Sequence, residues 1–202
     1  MTTRILIAED VDLIAEAFIA LLNTEDDFEV VKRVSRGDEV VAAVEEFRPD
    51  IALLDVAMPG CTGIEATAQV RARGLDCRIL LLTALEGAGH LQQALQAGAN
   101  GYLVKTTTAD RLIAGIRSVV AGGTVIDPQL AADALRLGPN PLTAREQELL
   151  RLLAQGLSTD EVAEKLFLSR GTVRNYVSNV LEKLGTHSRG EAVTLARDRG
   201  WL

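Results

Sequence analysis

Residues 1–121 alternate short apolar runs with longer stretches of helical period, and this alternation leaves few folds open to the chain. Runs such as Ile51–Leu54 and Ile79–Leu82 are apolar without interruption. Such runs are typical of parallel strands that are buried on both faces of a sheet. The predicted strands are Arg4–Ala8, Phe28–Val34, Ile51–Asp55, Arg78–Thr83 and Gly101–Lys105.

Helical periodicity fills the intervals that follow these strands. In the first interval, Leu13, Ala17, Ala20 and Leu21 recur at helical spacing and are therefore expected to face the core. Five strands alternating with five helices predict an α/β fold with an open, doubly wound, five-stranded parallel sheet. The predicted helices are Val11–Asn23, Asp38–Phe47, Ile64–Arg73, Leu91–Ala97 and Ala109–Ala121.

The strand pattern stops after Gly122-Gly123, and everything beyond the next break has helical character. The segment Gly138-Pro139-Asn140-Pro141 is that break, because each proline disfavours helix in the residue before it. A short helix, Leu130–Leu137, is expected just ahead of it. We therefore predict an α/β domain over residues 1–121, a linker over 122–140 and an all-α domain of four helices over 141–202.

The helices of the C-terminal domain carry clear start signals. Ser or Thr followed three residues later by Glu predicts a capping box, and Ser169 is a further N-cap candidate. The middle pair, Thr159–Leu166 and Arg170–Leu184 with Phe167-Leu168 between them, has the proportions of a helix-turn-helix. The predicted boxes are Thr143/Glu146, Ser158/Glu161 and Ser188/Glu191.

Net charge and composition limit the classes of function. The chain carries a formal charge of −7, which on average argues against a nucleic-acid binder, but residues 1–125 hold 11 basic and 18 acidic side chains whereas residues 126–202 hold 10 of each. The C-terminal part is thus free to gather positive charge on one face. No apolar run reaches the ~18 residues that span a bilayer. With no apolar signal segment and two scattered cysteines, a cytoplasmic protein with no membrane partner is expected.

Polar residues stand at the carboxyl ends of the predicted strands, where open α/β sheets bind ligands. Glu9 and Asp10 end the first strand, Asp55 the third, Thr83 the fourth and Lys105 the fifth. Three neighbouring carboxylates repel one another unless a cation lies among them, and oxygen ligands suit Mg²⁺. Asp55 is the best candidate for an aspartyl-phosphate acceptor, since it ends the central strand ahead of a turn-rich loop. Lys105 and the Thr83 hydroxyl would then contact the phosphoryl oxygens.

Other sites fit these residues less well. The first strand–helix turn, Ala8-Glu9-Asp10-Val11, lacks the glycines of a dinucleotide site. A phosphatase that passes through an aspartyl-phosphate is a second alternative, but the general acid expected two residues after the nucleophile is replaced by Ala57. A third is a DNA-binding regulator that works without phosphorylation and keeps the pocket as a relic.

These motifs together resemble the receiver domain of two-component response regulators, which has a flavodoxin-like fold. The matching segments are Ile5–Asp10, Asp55–Gly60, Leu80–Ala84 and Gly101–Lys105. The resemblance implies that Glu9, Asp10, Asp55 and the Ala57 carbonyl bind Mg²⁺, and that a sensor histidine kinase phosphorylates Asp55. It implies also that Thr83 and Tyr102 form a switch pair in which Tyr102 swings inward on phosphorylation. Two positions depart from the family pattern: Thr106 replaces a common proline, and Thr62 a common aspartate.

The C-terminal segment is similar to the LuxR-type helix-turn-helix of the NarL/FixJ class, and its ending Asp198–Leu202 is similar to the desaturase-regulator subgroup. Val173, Val177, Val180, Leu181 and Leu184 are expected to face the core. The resemblance places Arg174, Asn175 and Ser178 against bases of promoter DNA in the major groove. Ser169 and Thr172 suit phosphate contacts. Arg170 and Lys183 are expected on the same solvent-facing side. These features predict a transcription regulator, not an enzyme, that binds double-stranded DNA as a phosphorylation-dependent homodimer.

Overall fold

A computed structural model describes residues 2–84, 88–137 and 140–202 of the chain. They form two compact units, one built around a β-sheet and the other built of helices from the C-terminal third of the chain. Within the described ranges, no helix has both the length and the apolar character that crossing a bilayer requires.

The sheet of the first unit is entirely parallel. Its order is β2-β1-β3-β4-β5-β6, so that the chain begins near the middle, runs to one edge and then returns to build the other. The point at which the order reverses lies between β1 and β3, which is where doubly wound sheets open a crevice at the strand ends. The strands are β1 (Thr3–Ala8), β2 (Phe28–Val34), β3 (Ile51–Asp55), β4 (Arg78–Thr83), β5 (Gly101–Val104) and β6 (Val125–Ile126).

Helices cover the sheet, and the five that were predicted here are confirmed to within a few residues. The central strands are buried along their length, with every residue of β3 buried, as their continuous apolar sequence indicates. One apolar cluster joins β1, β3, β4 and β5 to residues of α1 and α5. The helices are α1 (Asp12–Leu22), α2 (Val40–Phe47, after a 3-10 turn Gly37–Glu39), α3 (Gly63–Ala72), α4 (Ala88–Gln96) and α5 (Ala109–Val120).

Of the predicted core face of α1, Leu21 packs against the core and is confirmed, whereas the prediction is wrong for the other three residues. Leu13 is 76% exposed, and Ala17 and Ala20 are exposed as well. The buried side of the helix is formed instead by Ala15 and Leu22, with Phe18 and Ile19 packed against the core. Apolar residues lie on most of the circumference of this helix, so helical spacing alone fits two different faces.

The sheet has six strands, not the five that were predicted. β6 lies in the segment assigned to a linker, and two residues are too few to produce a strand pattern in the sequence. The Asp127 N–H donates to the Tyr102 carbonyl on β5. The Asp127 carboxylate then accepts the N–H groups of Gln129 and Leu130 and so caps α6 (Pro128–Leu137). The predicted linker helix is therefore present and begins two residues early.

The second unit packs four helices around two adjoining apolar clusters. The predicted capping boxes at Thr143 and Ser158 are confirmed, and so is the Ser169 cap. The box at Ser188 is incomplete: Ser188 accepts the Glu191 N–H, but the Glu191 carboxylate accepts the N–H of His187 instead of closing the box. The helices are α7 (Ala144–Ala154), α8 (Thr159–Lys165), α9 (Arg170–Leu184) and α10 (Arg189–Asp198).

Arg71 ties together three segments at the edge of the sheet opposite the acidic strand ends. Its Nε donates to the Gly98 carbonyl at 3.0 Å, Nη1 to the Cys77 carbonyl at 2.8 Å, and Nη2 to Oδ1 of Asn100 at 2.8 Å. These three acceptors are part-buried, and Oδ1 of Asn100 also accepts the Ile79 N–H at 2.9 Å. A part-buried acceptor that loses its donor costs more than the bond itself contributes.

We therefore expect Arg71→Met to lower the free energy of unfolding of the sheet unit by about 2–4 kcal/mol. Arg73→Met is the matched control, because Arg73 makes one exposed pair with Glu45 and its loss should cost less than about 1 kcal/mol. Urea unfolding followed by circular dichroism measures both. Equal losses of stability in the two variants would contradict the role of Arg71 in joining the three segments.

Candidate functional sites

The predicted acidic residues meet at the reversal point of the sheet. Glu9 and Asp10 follow β1, Asp55 ends β3, and one carboxylate oxygen of each lies within 4.8 Å of the others. Glu9 is 1% exposed and Asp55 6%, whereas Asp10 is exposed. The three form a cluster that is open to solvent on the side of Asp10.

Lys105 lies between two of these carboxylates. Its Nζ is 2.7 Å from Oε2 of Glu9 and 2.9 Å from Oδ2 of Asp55. Burial alone lowers the pKa of Lys105, but its bonds with the two carboxylates outweigh burial and hold the pKa above the ordinary value. Burial raises the pKa of Glu9, and the Asp55 charge adds to the rise while Lys105 opposes it. One ammonium group therefore compensates only part of the negative charge.

The structure brings Thr83 and Tyr102 next to this cluster. Both are buried at 1% exposure or less, on the neighbouring strands β4 and β5. Burial raises the pKa of the Tyr102 phenol to about 12, the nearby Thr83 side chain opposes this rise, and the Asp55 charge adds to it. By geometry, the Tyr102 hydroxyl has no hydrogen-bond partner within the described part of the chain. The Tyr102 side chain is thus buried, and this is the inward position that the resemblance to receiver domains associates with the phosphorylated state.

The loop after β3 is held at both of its ends. The Val56 N–H donates to the Leu82 carbonyl at one end of the loop, and the Gly63 N–H donates to the Val56 carbonyl at the other. Ala57 lies exposed between these anchors. Thr62, at the position where relatives often carry aspartate, instead caps α3 in a reciprocal box with Glu65 that was not predicted.

Two glycines let this loop approach the turn before α2, a contact that sequence reasoning missed. A Cβ on Gly37 would lie 1.9 Å from the Cys61 carbonyl oxygen, and one on Gly60, whose φ is +84°, would lie 2.4 Å from the Asp38 carboxylate. Only glycine fits at either position. The sole signal in the sequence is the presence of a glycine in each turn.

The donor set fits magnesium. Glu9, Asp10 and Asp55 present oxygen atoms alone, with no histidine or thiol among them. A hard divalent cation prefers carboxylate, carbonyl and water oxygens, and Mg²⁺ keeps several waters when it is bound by few carboxylates. The exposed side of the cluster, at Asp10, leaves room for such waters.

The helix-turn-helix of the second unit has the predicted polarity. Val173, Val177 and Val180 are buried, and Leu181 and Leu184 pack partly against the same core. Phe167, in the turn, has a φ of +55° and is 95% exposed. The polar side chains are left on the outer face of α9: Ser169, Arg170, Arg174, Asn175 and Ser178 are exposed, and Thr172 is half-buried.

Four of the predicted DNA-contact residues have partners inside the unit: Ser169 and Thr172 bond each other in the cap of α9, and Arg170 and Lys183 form ion pairs. Arg170 pairs with Asp160 of α8, with both side chains more than half exposed. Lys183 donates to Oε2 of Glu146 at 2.7 Å, and that carboxylate is only 5% exposed. Burial acts to raise the pKa of Glu146, but the bonds from Lys183 and Thr143 outweigh it, and the pKa lies below its ordinary value. Lys183 thus joins α9 to α7.

Both halves of the chain match family models. Residues 5–117 match the response regulator receiver domain. Residues 140–196 match the bacterial regulatory proteins of the luxR family. The chain is a response regulator of the NarL/FixJ class. The resemblance drawn from its motifs is confirmed.

Several known proteins are similar to this response regulator over two thirds of its length or more. It is 43% identical to the transcriptional regulatory protein DesR of Bacillus subtilis over 98% of both chains, which confirms the predicted subgroup. A crystal structure of the response regulator ChrA, from a haem-sensing two-component system, is 30% identical with a TM-score of 0.59, covering 100% of this chain and 99% of that one. A LuxR-family response regulator from Aurantimonas sp. is 29% identical with a TM-score of 0.64, over 67% of this chain and 97% of that one.

The position of Tyr102 in the response regulator can be tested by alkaline titration. Tyr176→Phe leaves Tyr102 as the only tyrosine, and its tyrosinate absorbance should rise with a midpoint of about 12. Because the folded pKa lies above the ordinary value of about 10, folding stability should fall as the pH rises beyond 10. The same variant in urea is expected to titrate near 10. A midpoint near 10 in the folded protein would contradict burial of the phenol.

Proposed function

We propose that Asp55 accepts a phosphoryl group from a sensor histidine kinase, with Mg²⁺ bound beside it, and that this modification controls binding of the C-terminal domain to promoter DNA. The observation that carries the proposal is the position of Asp55, within 4.8 Å of oxygens of Glu9 and Asp10 and with its Oδ2 2.9 Å from the Lys105 ammonium. A phosphoryl group adds close to two negative charges. The site must therefore supply cationic partners for it.

Each residue of the cluster has a part that follows from its position. Glu9, Asp10, Asp55 and the Ala57 carbonyl would hold Mg²⁺, which when bound neutralises charge on phosphoryl oxygens. Lys105 already contacts Asp55 and can exchange a carboxylate oxygen for a phosphoryl oxygen with a small movement. As the charge on Asp55 grows, the attraction on Lys105 grows with it.

Thr83 and Tyr102 would carry the change away from the pocket. Thr83 ends β4 one strand from Asp55 and has a hydroxyl suited to a phosphoryl oxygen. A shift of Thr83 towards that oxygen would change the space beside the buried Tyr102 hydroxyl, which has no hydrogen-bond partner among the described residues. The backbone of Tyr102 bonds Asp127, which caps α6. This chain of contacts supports a route from the receiver, residues 1–121, through the linker, 122–140, to the DNA-binding domain, 141–202.

The outer face of α9 is the proposed contact with DNA. Arg174, Asn175 and Ser178 would meet base edges, while Ser169, Arg170 and Thr172 would meet phosphates. The Asp160 partner of Arg170 is exposed and can be exchanged for a phosphate. Phosphorylated homodimers would bind adjacent half-sites. The regulator would act in the cytoplasm, where the promoter DNA lies.

We propose that Lys183 does not contact DNA and instead holds α9 against α7 through its ion pair with Glu146. Its ammonium group holds a nearly buried carboxylate of the first helix of the unit. Breaking that bond to reach a phosphate would leave Glu146 charged and without its cationic partner, which is costly. The recognition helix is thereby fixed against α7.

The phosphoacceptor is tested by Asp55→Ala. The variant should take up no phosphoryl group from acetyl phosphate and Mg²⁺, because no carboxylate remains at the end of β3, and intact mass measures this directly. Asp76→Ala is the control, since Asp76 lies exposed before β4 at the opposite edge of the sheet, and should be phosphorylated like the parent chain. Phosphorylation of Asp55→Ala, or its absence in the parent, would refute the assignment.

The DNA surface is tested by Arg174→Ala. Loss of a bidentate contact with a base should weaken binding of the preferred site by about 1–3 kcal/mol and relax the preference at one base pair. Fluorescence anisotropy with a set of single-base variants of the site measures both. Equal weakening on every duplex would make Arg174 a phosphate contact.

Lys183→Met is expected to act differently. It should lower the unfolding free energy of the helical unit by about 1–3 kcal/mol, since it leaves the Glu146 carboxylate without its cationic partner. The order of preference among DNA sequences should not change. A changed preference at one base pair, with unaltered stability, would show that Lys183 reads DNA.

A further inference from the structure

Arg33 lies on β2, beside the acidic cluster, because of an irregularity between two strands. β1 and β2 pair regularly from Thr3 with Phe28 to Ile5 with Val30, and then the register shifts so that Leu6 pairs with Lys32 and Ile7 with Arg33. The shift leaves Val31 as an extra residue on β2. A bulge of this kind turns the side chains that follow it to the other face of the strand. It therefore sets the direction in which Arg33 points.

From this position Arg33 binds the loop between β1 and α1 on both sides of Asp10. Its Nη2 donates to the Glu9 carbonyl at 3.1 Å and to Oδ1 of Asp12 at 2.6 Å. The next residue of β2, Val34, accepts the Glu9 N–H at 3.1 Å. Both backbone groups of Glu9 are thus held by the end of β2, and the side chain of Asp12, three positions further on, is held by the same guanidinium.

We propose that Arg33 is a positioning residue for the Glu9–Asp10 part of the magnesium site. It acts on the loop and not on the proposed ion: it bonds the Glu9 carbonyl before Asp10 and the Asp12 side chain after it, and Asp10 is the one exposed carboxylate of the cluster. This inference rests on the proposed function, since it concerns the same Mg²⁺ site. The Val11 N–H also bonds Oε1 of Glu9 at 3.3 Å, but the Asp10 side chain is exposed, so its readiness to bind a cation depends on the loop that carries it.

Positioning and simple electrostatics predict opposite results when Arg33 is replaced. A positive charge near a cation site repels the cation, so removing the charge would strengthen Mg²⁺ binding if charge alone mattered. Removing a restraint on a ligand loop weakens binding, because the loop must be ordered when the ion binds. A weaker Mg²⁺ affinity on replacement of Arg33 therefore indicates a positioning role, and a stronger affinity indicates an effect of charge alone.

The test uses the full-length, unphosphorylated chain and magnesium chloride, with affinity measured by isothermal titration calorimetry. Arg33→Gln should raise the Mg²⁺ dissociation constant on the order of tenfold, as is typical when a partner of a metal-ligand group is lost. Arg33→Lys keeps the charge and one donor and should recover part of the affinity. With acetyl phosphate, Arg33→Gln should need more Mg²⁺ for the half-maximal rate and reach the parental rate at saturating Mg²⁺.

Arg73→Gln is the matched control, because Arg73 makes a single ion pair with Glu45 away from the pocket, and its Mg²⁺ affinity should equal that of the parent. Unchanged or tighter binding by Arg33→Gln would overturn the inference while the proposed function stands. If Arg33→Gln fails to fold, Arg33→Lys decides, and parental affinity in that variant would overturn it. No Mg²⁺ binding by the parent chain would instead reject the metal site and, with it, the inference.

Discussion

At the end of β3, the negative charge of the carboxylate cluster is only partly balanced by Lys105, and the proposed function follows from this imbalance. Three carboxylates cluster here, and the one ammonium group beside them pairs with two, so that ionised carboxylates outnumber their cationic partner in a partly buried pocket. Lys105 keeps Glu9 and Asp55 together but cannot neutralise both. Such a pocket favours binding of a divalent cation, and with the cation present it can accept a phosphoryl group without excessive repulsion.

The fold makes this balance sensitive to change. Asp55, Thr83 and Tyr102 lie on three neighbouring strands, β3, β4 and β5, and the last two are joined through the sheet. β6 then extends the sheet by two residues and leads directly into the cap of α6. In the proposed function, a small movement of Thr83 would therefore displace the start of α6, because packed protein interiors transmit strain.

The sequence predicted the features that depend on periodicity and on strand ends. Continuous apolar runs predict β3 and β4, and the rule that parallel strands end at one edge of a sheet predicts that Asp55, Thr83 and Lys105 lie close together. Cap signals located α7, α8 and α9. These properties are local, or follow from topology that few alternatives can satisfy.

What the sequence did not predict depends on contacts between distant segments. The bulge that directs Arg33 towards Glu9 has no local signal, since Val30 and Val31 are equally suited to a regular strand. The buried face of α1 depends on which of two apolar stripes meets Phe28 and the core. The sequence predicts that Lys183 faces solvent, whereas in the structure its ammonium group bonds Glu146, which is 37 residues away in the chain. Charge and hydropathy identify candidate groups, but partners are set by packing.

The central claim is that phosphorylation of the pocket governs how tightly the α9 surface holds DNA. It is tested most directly by selecting duplexes from a random pool with the full chain and then measuring the dissociation constant of the best duplex, at one fixed salt concentration, with and without acetyl phosphate and Mg²⁺. We predict tighter binding by the phosphorylated chain and no such gain for Asp55→Ala. Equal dissociation constants in both states of a chain whose phosphorylation is verified by mass would contradict the account.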